Sequence, residues 1–220
     1  MPGLFISFEG SEGCGKSTQF ALLAERLRKT GVPVVTAREP GGTAIGEEIR
    51  RLLQFSREGH QLTAESELLL FAASRAQLVR EVIAPALAEG KIVLCDRFLD
   101  SSAVYQGVAR GLNVEAVRAI NAFAVGATMP NVTLLFDLLP GVARARLLRR
   151  PRPVGQPADR MESEPAEFYE RVRAGYLSLA EQEPDRFVIL DASLAKEDVA
   201  QSVWNIVSPR LHGLLPGNRA

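Results

Sequence analysis

The stretch that decides the fold is FEGSEGCGKST, Phe8 to Thr18. An apolar run, Leu4 to Phe8, stops at an acid, Glu9, and Gly10, Gly13 and Gly15 crowd into the six residues that precede Lys16, Ser17 and Thr18. So much flexible backbone at the end of a buried strand needs a reason. Gly10 to Ser17 fits G-x-x-x-x-G-K-[ST] in full, and apolar residues at helical spacing (Phe20, Leu23, Leu27) follow it. Strand, glycine loop and helix in that order make a phosphate cradle. Glycines take left-handed angles and let the backbone approach a ligand. Successive N–H groups then point inward at a helix N-terminus. The cradle is expected to be Gly10, Ser11, Glu12, Gly13, Cys14, Gly15, Lys16, Ser17 and Thr18. Lys16 would reach the β- and γ-phosphates of a nucleotide, Ser17 would ligate Mg²⁺, and Thr18 would meet the α-phosphate.

Outward from this loop the chain alternates. Strands are expected at Leu4–Phe8, Pro33–Ala37, Lys91–Cys95, Val132–Phe136 and Phe187–Leu190. Helical spacing covers Thr18–Lys29, Ile45–Gln54, Leu62–Glu89, Ser101–Ala109, Val114–Val125, Pro165–Glu183 and Lys196–Leu211. Thr63 is placed to cap the third of these, and Pro85 to kink it. A further helix starts near Arg144 and dissolves into RRPRPVGQPADR. Short strands separated by helices give a five-stranded parallel sheet covered on both faces. Ligands bind at the carboxyl edge of such sheets. The useful residues are therefore those from Glu9, Arg38, Asp96 and Asp137 onward.

Composition narrows the class. The 220 residues carry 26 basic and 26 acidic side chains, a formal net charge of zero, so no whole-protein attraction to nucleic acid is indicated. No apolar run approaches the roughly 20 residues needed to span a bilayer, so no membrane partner is expected. Cys14 and Cys95 are too few for a disulfide framework and read as reduced, buried thiols of a cytoplasmic protein. The whole chain, 1–220, is expected to form one domain.

Phosphate binding alone fits a kinase, an ATPase, a GTPase or a nucleotide switch. No N-K-x-D guanine-reading element is present. REPGGT (Arg38–Thr43) follows the second strand and DRF (Asp96–Phe98) the third, which favours a small-molecule kinase. An acid directly after a strand beside the cradle suits a metal, and an adjacent Arg97 can grip a second phosphate bidentately. A lone Asp-Arg would otherwise be a surface ion pair. Phe71 and Arg75, four residues apart, share one helix face. A ring and a planar donor fork can stack on a base and donate to its carbonyl, although periodicity alone would read Phe71 as core and Arg75 as solvated.

FEGSEGCGKST, REPGGT, LLFAASRAQL, DRFLDSSAVYQG and ADRMESEPAEFYERVRAGY, in that order from Leu4 to Tyr176, together resemble the thymidylate kinase family. The resemblance implies a three-layer α/β, P-loop nucleoside-monophosphate kinase-like fold with a mobile lid at about 146–162. It implies transfer of a phosphoryl group from ATP to dTMP for dTTP synthesis, with ATP and Mg²⁺ as cofactors, dTMP and ATP as partners, and a homodimer. At matched positions Phe71 would stack on thymine, Arg75 would donate to its 4-carbonyl, and Arg38 and Arg97 would hold the dTMP phosphate. Ser102, Tyr105 and Gln106 would line the nucleoside pocket, with Tyr105 disfavouring a ribose 2′-hydroxyl. Glu9 would lie near the sugar 3′-hydroxyl and the metal, and Asp96 and Ser17 at the metal.

The family places an essential arginine in the P-loop or in the lid, and this P-loop has none. Residues 144–160 hold Arg144, Arg146, Arg149, Arg150, Arg152 and Arg160 against one acid, Asp159. That resembles the bacterial type with a basic lid. Arg144 and Arg146 read as a solvated helix face; the resemblance implies Arg149, Arg150, Arg152 and Arg160, beside Lys16 and Arg97, as the catalytic set. Phe98 stands where the family carries a polar Tyr or His. Two alternatives stay open: another pyrimidine nucleoside-monophosphate kinase, and a non-catalytic ATP-binding switch, which would need no acceptor pocket.

Overall fold

The computed structural model describes residues 3–55, 62–149, 160–211 and 214. Five strands, β1 (Leu4–Glu9), β2 (Val34–Arg38), β3 (Ile92–Asp96), β4 (Val132–Asp137) and β5 (Phe187–Asp191), run parallel in the order β2-β3-β1-β4-β5. The chain leaves β1 for one edge, returns through β3, and only then fills the other side. β1 therefore sits at the reversal of strand order, where a crevice opens at the carboxyl edge. The register sets the site: Phe8 pairs with Asp96, Arg38 with Asp96, and Asp137 with Asp191, so the residues ending these strands share one rim.

Helices α1 (Lys16–Lys29), α2 (Ala44–Phe55) and α3 (Ala64–Leu78) follow the expected spacing. Thr63 caps α3 by accepting from Ser66 N at 3.2 Å. A π-turn, Val79–Ile83, then leads into α4 (Ala84–Ala88). The expected kink at Pro85 is thus a widened turn directly before it. Pro85 has no N–H to give and its ring crowds the carbonyl four residues back, which the wider π geometry accommodates. A second π-turn, Ala103–Ala109, extends the short α5 (Leu99–Ser102). Asn113 caps α6 (Val114–Val125), its Oδ1 accepting from Ala116 N at 2.9 Å.

Helix α7 (Pro140–Arg149) begins four residues before the expected Arg144. Proline suits a first helical position, where its missing N–H has no partner to lose. The elements α8 (Ala166–Gln182) and α9 (Lys196–Val207) complete the chain. Alternate strand residues feed opposite layers. Ile6, Phe8, Leu94 and Leu134 pack with Leu23 and Leu27 of α1 and Val203 of α9. Phe5, Val93 and Cys95 pack with Leu78, Val79 and Ile83 on the other face. Phe168, Val172 and Tyr176 of α8 join Tyr105 and Leu135 in a third cluster. Each fully buried Phe or Leu contributes about 1.5–3 kcal/mol against conformational entropy of similar total size. Phe98 belongs to the second of these clusters: it is fully buried and edge-on to Phe5 with ring centroids 5.0 Å apart, a site that an apolar ring fills.

Candidate active site

The glycine loop between β1 and α1 takes the backbone form that its sequence demands. Gly10, Gly13 and Gly15 have φ of 134°, 78° and 95°. Gly13 must also be small: a Cβ there would lie 2.4 Å from the Ala143 carbonyl oxygen of α7. The loop and the root of the basic segment are therefore in direct contact. Lys16 is buried, and its Nζ donates to the carbonyls of Gly10 and Ser11, both at 2.8 Å. Ser17 Oγ donates to Asp96 Oδ2 at 3.1 Å, joining the ends of the cradle and of β3.

On the other side of the cleft stands Arg97, with φ of 70°, a left-handed angle that costs a non-glycine residue on the order of 1 kcal/mol. Glu9 and β1 hold it there. Arg97 N donates to Phe8 O at 3.0 Å, and Phe98 N to Glu9 Oε1 at 2.7 Å. The guanidinium meets Glu12 Oε1 at 2.6 Å, Ser101 Oγ at 3.1 Å, and the Tyr105 and Tyr176 hydroxyls at 3.3 Å each. Tyr105 also donates to Glu12 Oε2 at 2.7 Å. Burial pushes the Glu12 carboxyl up, but the charges of Arg97 and Lys16 and the Tyr105 bond outweigh it and hold Glu12 below the usual carboxylate range. Burial chiefly, opposed by the Arg97 charge, drives the Tyr105 hydroxyl well above the ordinary phenol value, so it stays a neutral donor.

A cavity of about 620 Å³ spans both sides. It brings together Glu12, Gly13, Gly15, Lys16, Ser17 and Thr18 of the cradle with Arg38, Phe71, Asp96, Arg97, Ser102, Tyr105 and Gln106. Gly10, Ser11 and Cys14 lie buried behind the cradle. Arg38 is exposed at the rim, its Nη2 shared between the two carboxylate oxygens of Glu47 at 3.0 and 2.8 Å.

Four expected site residues lie elsewhere. Glu9 is fully buried beneath the cleft, its oxygens occupied by Phe98 N, Ser101 Oγ and the Tyr176 hydroxyl. Burial, reinforced by the charge of Asp100, pushes its pKa up to about 7. It supports the Arg97 turn from below. Arg75 is 1% exposed and does not line the cavity. Its Nε donates to Glu39 Oε2 at 2.8 Å, Nη1 to Asn121 at 2.7 Å and Nη2 to Ser102 Oγ at 3.0 Å. Arg160 turns away from the cradle, with Nε on Leu53 O at 3.2 Å and Nη2 on Glu67. Arg149 is exposed at the end of α7 and is not part of the cavity wall. Arg150 and Arg152 fall outside the described residues.

The cavity wall also includes residues the sequence did not single out: Glu39, Arg50, Gln54, Ser101, Arg146, Leu147, Met161 and Glu162. Arg146, expected to be merely solvated, reaches across to donate to Ala192 O at 2.9 Å. In sequence, Arg50 and Arg146 look like any arginines on an exposed helix face. Only their place in the cavity wall distinguishes them. Glu39 had a local signal, since it lies inside REPGGT. Burial pushes its pKa up to about 7 against the pull of Arg75.

A phosphate cradle, a hard-oxygen pair and an arginine-centred pocket in one cleft suit transfer between two phosphate-bearing molecules. The family model for thymidylate kinase matches residues 8–203. A thymidylate kinase of Synechococcus sp. (strain JA-3-3Ab) is 49% identical over 215 residues, covering 97% of this chain and 99% of that protein. One from Deinococcus radiodurans is 46% identical over 210 residues, 96% of this chain and 98% of that one. The crystal structure of thymidylate kinase from Ehrlichia chaffeensis superposes with a TM-score of 0.74 at 34% identity, over 94% of this chain and 99% of that chain. With the motif order, the sheet order and these full-length likenesses in agreement, the chain belongs to the thymidylate kinase family.

Proposed function

We infer that this chain moves the γ-phosphoryl group of ATP onto dTMP, giving ADP and dTDP. The observation that carries this reading is one continuous cleft, walled on one side by the cradle and on the other by Phe71, Arg97, Ser102, Tyr105 and Gln106. A cleft of about 620 Å³ falls within the range of ordinary ligand sites.

The attacking atom is an oxygen of the dTMP phosphate, already anionic, so no general base is needed. What remains is positioning and charge stabilisation. Lys16 would leave the Gly10 and Ser11 carbonyls for the β- and γ-phosphates as the loop N–H groups take up their oxygens. Arg97 and Arg38 would hold the acceptor phosphate in line. Arg97 already carries Glu12, so an arriving phosphate shares or displaces that carboxylate. Phe71 would stack on the base, and the Tyr105 ring would leave no room for a ribose 2′-hydroxyl. Arg146, at the cleft, together with Arg149, Arg150 and Arg152, would neutralise the moving phosphoryl group, with 146–162 acting as the lid of a single domain. Arg75 would serve from behind the wall, setting Ser102 in place.

Mg²⁺ fits the paired oxygens of Ser17 and Asp96, 3.1 Å apart at the cradle's mouth. Among the described residues no group of three or more His, Cys, Asp or Glu side chains forms a metal cage. That suits an ion completed by phosphate and water rather than by protein. When bound it would draw charge from the phosphate groups held in the cradle. A homodimer is supported by apolar exposure on α3 and α6, where Leu69 is 55% and Phe123 86% exposed; light scattering of the purified chain would read its mass directly. The free, buried thiols Cys14 and Cys95 support a reducing, cytoplasmic setting, which cell fractionation checks.

The testing experiment is a coupled assay of ATP consumption with Mg²⁺, offering dTMP, dUMP, ribose TMP, UMP, CMP, AMP and GMP in turn. Strong preference for dTMP is expected. Preference for another monophosphate would discard the base pocket, and ATP binding without acceptor-dependent turnover would point to a switch protein.

A further inference from the structure

Behind Gln106, which lines the cleft, lies a buried carboxylate that the mechanism above does not use. Glu67, in the first turn of α3, is 1% exposed. Its Oε1 accepts from Gln106 Nε2 at 2.7 Å and from Arg110 Nε at 3.3 Å. Its Oε2 accepts from Arg110 Nη2 at 3.4 Å and from Arg160. Burial alone would favour the protonated form, but the bonds from Arg160 and Gln106 and the charge of Arg110 outweigh it, keeping Glu67 below the usual carboxylate range. An ionised carboxylate only accepts. The oxygen and nitrogen of a glutamine amide are alike in shape, so it is the hydrogen-bond network that decides which faces where. Here only the NH₂ of Gln106 can face Glu67, and its carbonyl must take the opposite side of the amide.

We propose that Glu67 is a positioning residue for base selection: it locks the Gln106 amide so that a hydrogen-bond acceptor is presented to the bound pyrimidine. A base with a donor N–H at ring position 3, thymine or uracil, satisfies that acceptor. Cytosine sets a lone pair against it. Arg110 and Arg160 keep the lock closed by holding Glu67 ionised. The inference rests on the reading of this cleft as the dTMP site.

The isosteric change Glu67→Gln tests it with a signed outcome. Arg110 and Arg160 are donors only, so the new amide keeps its oxygen toward them and turns its NH₂ to Gln106. Gln106 must then accept from it, flip, and show its own NH₂ to the base. The ratio of kcat/KM for dTMP to that for dCMP should fall by at least about tenfold, with turnover of dCMP rising. Glu67→Asp keeps an acceptor-only group and should keep the ratio near that of the wild type. Equal losses with both nucleotides in Glu67→Gln, or the same fall in ratio in Glu67→Asp, would show a packing role and overturn the proposal. Absence of dTMP turnover in the wild type would fail the substrate reading itself, a distinct result. Should Glu67→Gln not fold, NMR of the wild-type Gln106 side-chain amide decides. Amide protons that stay bonded to Glu67 when dTMP is added support the lock; contacts from those protons to the thymine ring overturn it.

Discussion

The two walls of the cleft are built in different ways. The donor wall is nine consecutive residues, Gly10 to Thr18, whose work is done by backbone N–H groups, three left-handed glycines and one lysine. The acceptor wall is assembled from β2, α3, the end of β3 and a π-turn, and its side chains take their directions from partners distant in sequence. Arg97 is held by Glu12, 85 residues away, and Gln106 by Glu67, 39 away; behind the wall, Arg75 is held by Glu39, 36 away. A backbone device can be written in a local motif. A side-chain device is written in pairs, and neither member shows its meaning alone.

The largest expected effect breaks the donor wall. Lys16 is the side chain there proposed to follow charge onto the transferred group. Lys16→Ala should cost at least about a hundredfold in kcat with a smaller change in dTMP affinity. Steady-state kinetics with dTMP and ATP varied separately measure both. Wild-type-like kcat in that variant would remove Lys16 from the phosphate assignment.

The acceptor wall should respond differently. Stacking on an aromatic ring is worth about 1–3 kcal/mol per base. Phe71→Ala should therefore raise the dissociation constant for dTMP roughly ten- to a hundredfold, leave that for ATP–Mg²⁺ unchanged, and lower kcat less than Lys16→Ala does. Calorimetric titration with each ligand separates the walls. Unchanged dTMP affinity would place the base away from Phe71.

How much of this could be read in advance follows the same division. G-x-x-x-x-G-K-[ST] placed the glycine loop between β1 and α1, and the period of apolar residues located all five strands to within a residue or two. The spacing of Phe71 and Arg75 put them on one face of α3, yet it could not show that Phe71 reaches the cleft while Arg75 stops behind it. That depends on Glu39 and Asn121 arriving from β2 and α6. Arg160 was legible as a basic residue near the lid, but the buried acid that captures it, Glu67, sits in a first helical turn where an acid is ordinary. Both π-turns were invisible because their apolar spacing passes for an α-helix over five to seven residues. Pro85 was the one mark of either.

The smallest effect concerns the support beneath both walls. Glu9 ends β1, where the cradle begins, and holds the Arg97–Phe98 turn from below. Its folded pKa is about 7 against an ordinary 4.5, mainly because burial penalises the charge. The folded chain thus binds this proton more tightly than the unfolded chain does. Stability from this group is full below about pH 4.5, declines as pH rises through 7, and is level above. Glu9→Gln cannot ionise. Its amide can accept from Phe98 N and donate to the Ser101 and Tyr176 hydroxyls, which turn to suit. Between pH 5 and pH 8 the melting temperature of the wild type should fall by a few degrees more than that of Glu9→Gln. Glu39, with its own pKa near 7, is present in both and drops out of the difference. Equal falls would mean that Glu9 is ionised in the fold at both pH values. The hydroxyl bonds and Arg97 would then outweigh burial, and the support under the acceptor arginine would be an ion pair rather than a neutral hydrogen-bonded strut.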